Sequence, residues 1–354
     1  MPIASAYLAY CRAGFEKECA AELTARGGDC GLTGYVRAAT GSGFVVFHPY
    51  ASHPFGNAPE VRLDDLIFAR QLIRPAVLLD PLPPTDRITP LLEMASSLAP
   101  QFSDIWLETA DTNEAKALSS FTRKLAMPLR RAAATHGLIA EHGNAPRLHL
   151  FFLSGTAAYI GMTWASNSSP WPMGIPRLKF PRSAPSRSTL KLEEAFLSFL
   201  GKDPESLQPG MTAVDLGAAP GGWTWQLAHR HLWVTAVDNG PMQAALLESG
   251  LVEHHRADAF RYRPPKPVDW MVCDVVEQPS RIARLVARWI AEGWCRRCIF
   301  NLKLPMKKRR DEVLRCHDLI AEALLQARCH HSLRMKQLYH DREEVTAYLQ
   351  RLGA

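Results

Sequence analysis

Apolar and polar positions follow two different rhythms along this chain. In the first half, short apolar runs predict strands at 6–11, 34–38, 43–48, 66–71, 76–79 and 105–109. Helical spacing predicts helices at 16–26 and 88–98 and a long one at 113–136. Residues 148–153 and 157–164, around Ser154-Gly155, read as a closing hairpin. Residues 166–185 then lose all periodicity and carry five prolines, which is linker chemistry. A weaker break, HPFGNAP, falls at 53–59.

Beyond the linker, strands and helices alternate strictly. Helix 189–200 precedes strand 212–216, helix 222–230, strand 232–237, a short helix at 241–248 and strand 252–258. Strand 269–274, helix 280–292, strand 298–304 and helix 309–327 follow, and a hairpin of 332–339 with 344–349 closes the chain. Repeated strand–helix units predict an α/β, Rossmann-like parallel sheet with helices on both faces. The terminal hairpin adds one antiparallel strand. The expected units are therefore 1–55, 56–165 and 186–354, joined by the linker 166–185.

Composition sharpens this only slightly. The 354 residues are 47% hydrophobic and 21% charged, an ordinary globular balance that excludes disorder over the whole chain. The net charge is +6, split as 24 basic against 20 acidic residues from 186 onward and 17 against 15 before it. That excess permits an anionic partner without demonstrating one. Eight cysteines follow no framework spacing, so reduced thiols and a cytoplasmic setting are expected. Residues 148–176 contain no Asp, Glu, Lys or Arg, long enough for a membrane span. Their serines, prolines and turn residues favour the hairpin and loop, so no membrane partner is expected.

The strongest local motif is Asp215-Leu-Gly-Ala-Ala219-Pro220-Gly221-Gly222, where a strand meets a helix. In a doubly wound sheet, ligands bind beyond the carboxyl ends of the strands, and glycines there admit a ligand close to the backbone. Asp238 ends the next strand and suits a ribose diol. Asp258 is expected to end the third strand and suits an exocyclic amine. Asp274 ends the fourth. The dinucleotide fingerprint G-x-G-x-x-G is absent, and Pro220 interrupts the turn. The pattern favours S-adenosylmethionine over a nicotinamide cofactor.

Four further residues stand out. Lys191 lies on the helix before the first strand, Asp274 ends the fourth, Lys303 sits in an apolar strand, and Glu344 begins the last. A lysine inside an apolar strand is costly unless paired. An edge strand would let Lys303 reach solvent. The functional alternative is a base, its pKa expected to be lowered by burial and by Lys191, taking the proton of a ribose hydroxyl. Glu343 adjoins Glu344. The start of the strand-like Val345-Thr-Ala-Tyr-Leu favours Glu344.

The set Lys191, Asp274, Lys303 and Glu344, with D-L-G-x-x-P-G-G, resembles the K-D-K-E tetrad of RNA 2′-O-ribose methyltransferases. The stretches 238–242, 270–274 and 301–308 resemble in particular the methyltransferase M family of bacterial 23S ribosomal RNA. Residues 111–116 and 121–125 resemble a THUMP RNA-binding domain, and the N-terminal unit resembles its ferredoxin-like companion. The resemblance implies Lys303 as proton acceptor. It implies cofactor contacts from Ser186, Ala219, Pro220, Gly221, Gly222, Asp238, Asp258 and Asp274. The implied substrate is a cytidine in the peptidyl-transferase region of 23S ribosomal RNA. The RNA is expected naked or in an assembly intermediate, and the protein as a monomer.

Other signals carry less. Cys295-Arg-Arg-Cys298 has half a zinc spacing, but the flanking elements predict its cysteines apart from the other thiols, and no metal is expected. Lys307-Lys-Arg-Arg310 suits an RNA-phosphate contact or a solvated helix start. Trp223 and Trp225 suit either base stacking or core packing. No Pro-Cys dipeptide supports base C5 chemistry, and Val275-Val-Glu-Gln-Pro279 departs from the loop used for amino methylation of bases. A transfer RNA 2′-O-methyltransferase and a non-catalytic assembly factor remain as alternatives.

Overall fold

Two rhythms become two units, residues 1–176 and 177–354, in a computed structural model that describes residues 6–50, 60–141, 143–201, 203 and 205–353. The break expected at 53–59 lies outside the described residues.

The first unit contains β1 (Ala6–Cys11), α1 (Glu16–Asp29), β2 (Gly34–Ala38), β3 (Phe44–Pro49), β4 (Ala69–Leu79), α2 (Ile88–Leu98), β5 (Asp104–Thr109), α3 (Ser119–Thr135), β6 (Arg147–Ser154) and β7 (Ala157–Thr163). They form one seven-stranded sheet in the order β2-β3-β1-β4-β7-β6-β5. The strands expected at 66–71 and 76–79 are one strand, β4, which pairs β1 over its first half and β7 over its second. Pro75 lies in the irregularity between the Ile73 and Ala76 pairs, where a missing N–H breaks no ladder bond. Residues 66–68, expected in the strand, stay outside it, and the N–H groups of Ile67 and Phe68, with that of Ala69, donate to the buried Glu22 carboxylate of α1. The expected units 1–55 and 56–165 thus share a single sheet.

The expected linker differs in its first half. The Ser169 N–H donates to Gln71 Oε1, Asn167 Oδ1 accepts from the Leu63 N–H, and the Met173 N–H donates to Glu108 Oε1. Gln71 and Glu108 are buried polar groups on the sheet, and this segment supplies partners they require. Among the described residues no helix is long and apolar enough to cross a membrane. The uncharged stretch 148–176 is the β6–β7 hairpin and this segment.

The second unit contains α4 (Thr189–Phe199), β8 (Thr212–Leu216), α5 (Gly222–Ala228), β9 (Trp233–Val237), α6 (Ala244–Leu247), β10 (Val252–His255), β11 (Val268–Cys273), α7 (Pro279–Ala291), β12 (Cys295–Lys303), α8 (Arg309–Gln326), β13 (His331–Lys336) and β14 (Glu344–Arg351). The order is β10-β9-β8-β11-β12-β14-β13. Strands β8 to β12 pair in parallel, and β14 runs antiparallel to both neighbours, as the terminal hairpin predicts. The chain leaves β8 toward β9 and β10, then returns to place β11 on the other side. The crevice between β8 and β11 is the topological switch point, where such sheets bind ligands. Trp270, Val272 and Ile299 bury one face against α4 and α5.

Candidate active site

Alternation along two strands and the end of a third brings the four tetrad residues together. Lys303 ends β12, which lies between β11 and β14, so the edge-strand alternative fails. Asp274 follows β11, and Glu344 stands opposite Lys303 in the β12–β14 register. Lys191 reaches in from the first turn of α4. Lys303 Nζ lies 2.5 Å from Asp274 Oδ1 and 3.1 Å from Glu344 Oε1. Lys191 Nζ lies 2.6 Å from Glu344 Oε2 and 3.6 Å from Asp274 Oδ2. Each carboxylate therefore bridges both ammonium groups. Glu343 instead pairs with Arg309 at 2.8 Å and points away.

The expectation of a lowered Lys303 pKa is overturned. Burial does push it down and is the largest single influence. Asp274 and Glu344 together outweigh it, and the ammonium is held above its ordinary value.

A second layer orients the carboxylates. Asn301 Nδ2 donates to Asp274 Oδ1 at 2.9 Å and to Glu344 Oε2 at 3.1 Å. Its Oδ1 accepts from Thr346 Oγ1 at 2.7 Å, and Thr346 Oγ1 also lies 2.8 Å from Asp341 Oδ2. One hydroxyl hydrogen cannot serve both acceptors. Burial pushes the Asp341 carboxyl up to about 8, so at neutral pH it carries the proton for the second bond. Thr346 is then free to donate to Asn301, which fixes the amide with its NH2 toward the tetrad. Glu194, buried in α4, accepts from the N–H groups of Tyr339 and His340 and holds the turn before β14. Sequence reasoning placed Asn301 on the Lys303 face but missed Thr346, Asp341 and Glu194. The period of two marks Thr346, two residues past Glu344 and opposite Asn301.

The glycine turn lies at the switch point. The peptide Ala219-Pro220 is cis, and Gly221 adopts a φ of 116°, starting α5. A Cβ on Gly222 would lie 2.3 Å from Ser188 Oγ and 2.4 Å from Ser186 Oγ. Those two hydroxyls are 2.7 Å apart. Asp238 Oδ2 accepts from the Ala219 N–H at 3.0 Å and Oδ1 from the Gly240 N–H at 2.7 Å, tying two loops together. Burial pushes Asp215 up to about 7, with the charges of Asp274 and Asp238 adding to the rise, and its Oδ1 is buried without a hydrogen-bond partner. Three carboxyl groups thus gather at the carboxyl ends of β8, β9 and β11, beside a turn whose Gly222 leaves no room for a side chain. That donor set fits a cationic ligand carrying an ammonium and a sulfonium, as S-adenosylmethionine does.

Asp258 differs from expectation. β10 ends at His255, and Asp258 lies in the turn beyond it, its Oδ1 accepting from the Phe260 N–H. Its side chain is half exposed. Trp223 is buried and donates from Nε1 to Ser188 O, so packing wins there over base stacking. Trp225 stacks on His229. Lys307 and Lys308 are exposed just beyond Lys303, and Arg309 turns back to Glu343.

Three family profiles match the chain. Residues 4–73 match the RlmM ferredoxin-like domain, 86–164 the N-terminal domain of ribosomal RNA large subunit methyltransferase M, and 184–336 an FtsJ-like methyltransferase. Ribosomal RNA large subunit methyltransferase M of Methylococcus capsulatus is 59% identical over 347 residues, covering 98% of both chains. The chain belongs to the ribosomal RNA large subunit methyltransferase M family. The methyltransferases M of Stutzerimonas stutzeri, 52% identical, and Proteus mirabilis, 48% identical, also align over 98% of this chain and 99% and 96% of their own. As a member of this family, the chain is an RNA methyltransferase built on a ferredoxin-like domain and a Rossmann-like methyltransferase domain.

Proposed function

We propose that this chain methylates the 2′-hydroxyl of a cytidine ribose in the peptidyl-transferase region of 23S ribosomal RNA, with S-adenosylmethionine as donor. The observation that carries the reading is the tetrad of two ammonium groups interleaved with two carboxylates beside the switch-point crevice. When bound, S-adenosylmethionine supplies a methyl group activated by its sulfonium. Asp238 takes the ribose diol, Asp258 the exocyclic amine, and Ser186 and the turn Ala219-Pro220-Gly221-Gly222 shape the pocket. Asp274 serves both cofactor and tetrad.

Lys303 is the proton acceptor. As a free amine it takes the hydroxyl proton at Nζ, and Asp274 and Glu344 neutralise the ammonium so formed. The carboxylates that raise its basicity strengthen the proton transfer. They also require the resting ammonium to lose its proton before turnover. Lys191 holds the far carboxylate oxygens and keeps both from collapsing onto Lys303.

Residues 56–165, resembling a THUMP domain, supply phosphate contacts that position the RNA. The protein works in the cytoplasm as a monomer, on naked RNA or an assembly intermediate. The test is transfer of labelled methyl groups to total RNA from cells lacking this protein, followed by mapping. A single 2′-O-methylcytidine in 23S RNA is expected. A mark on transfer RNA would replace the substrate, and no transfer would leave an RNA-binding protein.

A further inference from the structure

On β3, Phe47 faces α1, where a Cβ on Gly27 would lie 3.4 Å from its ring. His48, one residue on, therefore faces the opposite side of the sheet, and its cross-strand partner Tyr35 on β2 does the same. The Tyr35 and His48 rings stack, with centroids 4.9 Å apart and planes inclined by 18°. Tyr50 extends the row, its centroid 6.1 Å from that of Tyr35. Arg37, two residues along β2, places its guanidinium 5.7 Å from the Tyr35 ring. Tyr35 is 42% and Tyr50 72% exposed. Arg37 is exposed and has no carboxylate partner among the described residues, and His48 Nε2 is buried without a hydrogen-bond partner.

A row of exposed rings beside an unneutralised guanidinium combines the two features that bind single strands, π-faces for bases and charge for phosphate. We propose that Tyr35, His48, Tyr50 and Arg37 form a stacking platform for unpaired bases of the RNA substrate, separate from the tetrad. The proposal rests on RNA being the substrate. His48 backs the Tyr35 ring, Tyr35 and Tyr50 offer their faces to bases, and Arg37 meets the intervening phosphate.

The test is fluorescence anisotropy of the full-length protein with a single-stranded pyrimidine oligomer of about a dozen nucleotides, within the usual range of single-strand sites, and with a duplex of equal length. Tyr35→Ala and Tyr50→Ala should each weaken single-strand binding about ten-fold, as loss of one stacking ring does. Duplex affinity, S-adenosylmethionine affinity by calorimetry and the melting temperature should hold. Tyr35→Phe should keep wild-type affinity, because it keeps the ring. Unchanged single-strand binding in folded Tyr50→Ala and Tyr35→Ala would overturn the platform, as would an equal loss on the duplex. If these variants bind normally while Lys303→Ala abolishes methyl transfer, the platform alone is wrong. If the wild-type protein methylates no RNA, the functional reading fails first.

Discussion

The Lys303 ammonium and the Asp274 carboxylate meet at 2.5 Å across neighbouring strands β12 and β11. Against burial, which pushes the other way, this contact and that with Glu344 make Lys303 a stronger base than free lysine and a more fully protonated one at rest.

Lys303→Ala and Lys303→Arg should both fold, bind S-adenosylmethionine and lose methyl transfer by about 10²–10⁴-fold, the usual cost of removing a general base. Arginine is the sharper test, since it keeps the charge but cannot give up its proton. In the wild type, single-turnover rates should rise with pH between 7 and 9, because only the free amine accepts the proton. Glu344→Gln should shift that rise to lower pH while lowering the maximum, since one carboxylate no longer stabilises the ammonium. A rate independent of pH, or a near-normal Lys303→Arg, would make Lys303 an electrostatic anchor.

The relay through Thr346 gives a separate expectation. Thr346→Val keeps the shape but removes the donor that fixes Asn301 Oδ1, leaving a buried acceptor unpaired at a cost of about 1–3 kcal/mol. The melting temperature should fall accordingly. The kcat should fall about ten-fold, the equivalent of 1.4 kcal/mol, while the RNA KM holds, because the relay orients carboxylates rather than binding RNA. Thr346→Ser, which restores the hydroxyl, should recover most of the rate. A change confined to KM would remove Thr346 from the positioning of the tetrad.

Asp238 ties the turn at Ala219 to the loop at Gly240, so its loss should affect the cofactor twice. Asp238→Ala should weaken S-adenosylmethionine binding by about 2–4 kcal/mol, from two lost bonds to a charged acceptor and the loosened loops. Titration calorimetry reads this directly. Gly222→Ala should also weaken it, because the new Cβ must displace the Ser186 and Ser188 hydroxyls. Wild-type affinity in both variants would move the cofactor away from the switch point.

Much of this site was legible because strand–helix alternation and strand-end acids are local patterns. Lys191, Asp274, Lys303 and Glu344 were each identified from their own neighbourhood. What the sequence hid was mutual distance. Lys303 was expected to be pushed down by Lys191, yet the carboxylates lie nearer to it than the second ammonium could suggest from spacing. Asp341 lies in a turn without periodicity, so nothing local marked it. In the N-terminal half, the joining of two units into one sheet depends on β4 changing partners at Pro75, a tertiary event that a proline in the sequence argues against. The linker composition of 166–175 was real, but buried Gln71 and Glu108 recruit that segment as hydrogen-bond partners.

Two buried acids set the last expectation, the pH dependence of stability. Burial pushes Asp215 up to about 7 and Asp341 up to about 8, against about 3.9 in an unfolded chain. The folded state therefore binds more protons than the unfolded state between these values. Stability from each group is fully present below about pH 4 and is lost as pH rises through the folded pKa, with a limiting slope of about 1.4 kcal/mol per unit for each. Other carboxylates act in the opposite sense below pH 4, and His48, whose pKa burial lowers, acts oppositely within the window from 5 to 8, so the difference between variant and wild type isolates each acid. Asp215→Asn cannot ionise and keeps an acceptor for Thr224 Oγ1. Urea midpoints measured at pH 5 and pH 8 should therefore fall less in Asp215→Asn than in the wild type, and Asp341→Asn should behave likewise with its gain reaching to higher pH. Equal falls in variant and wild type would mean that both acids are already ionised in the folded protein, and the proton assigned to the Asp341–Thr346 bond would have to come from elsewhere.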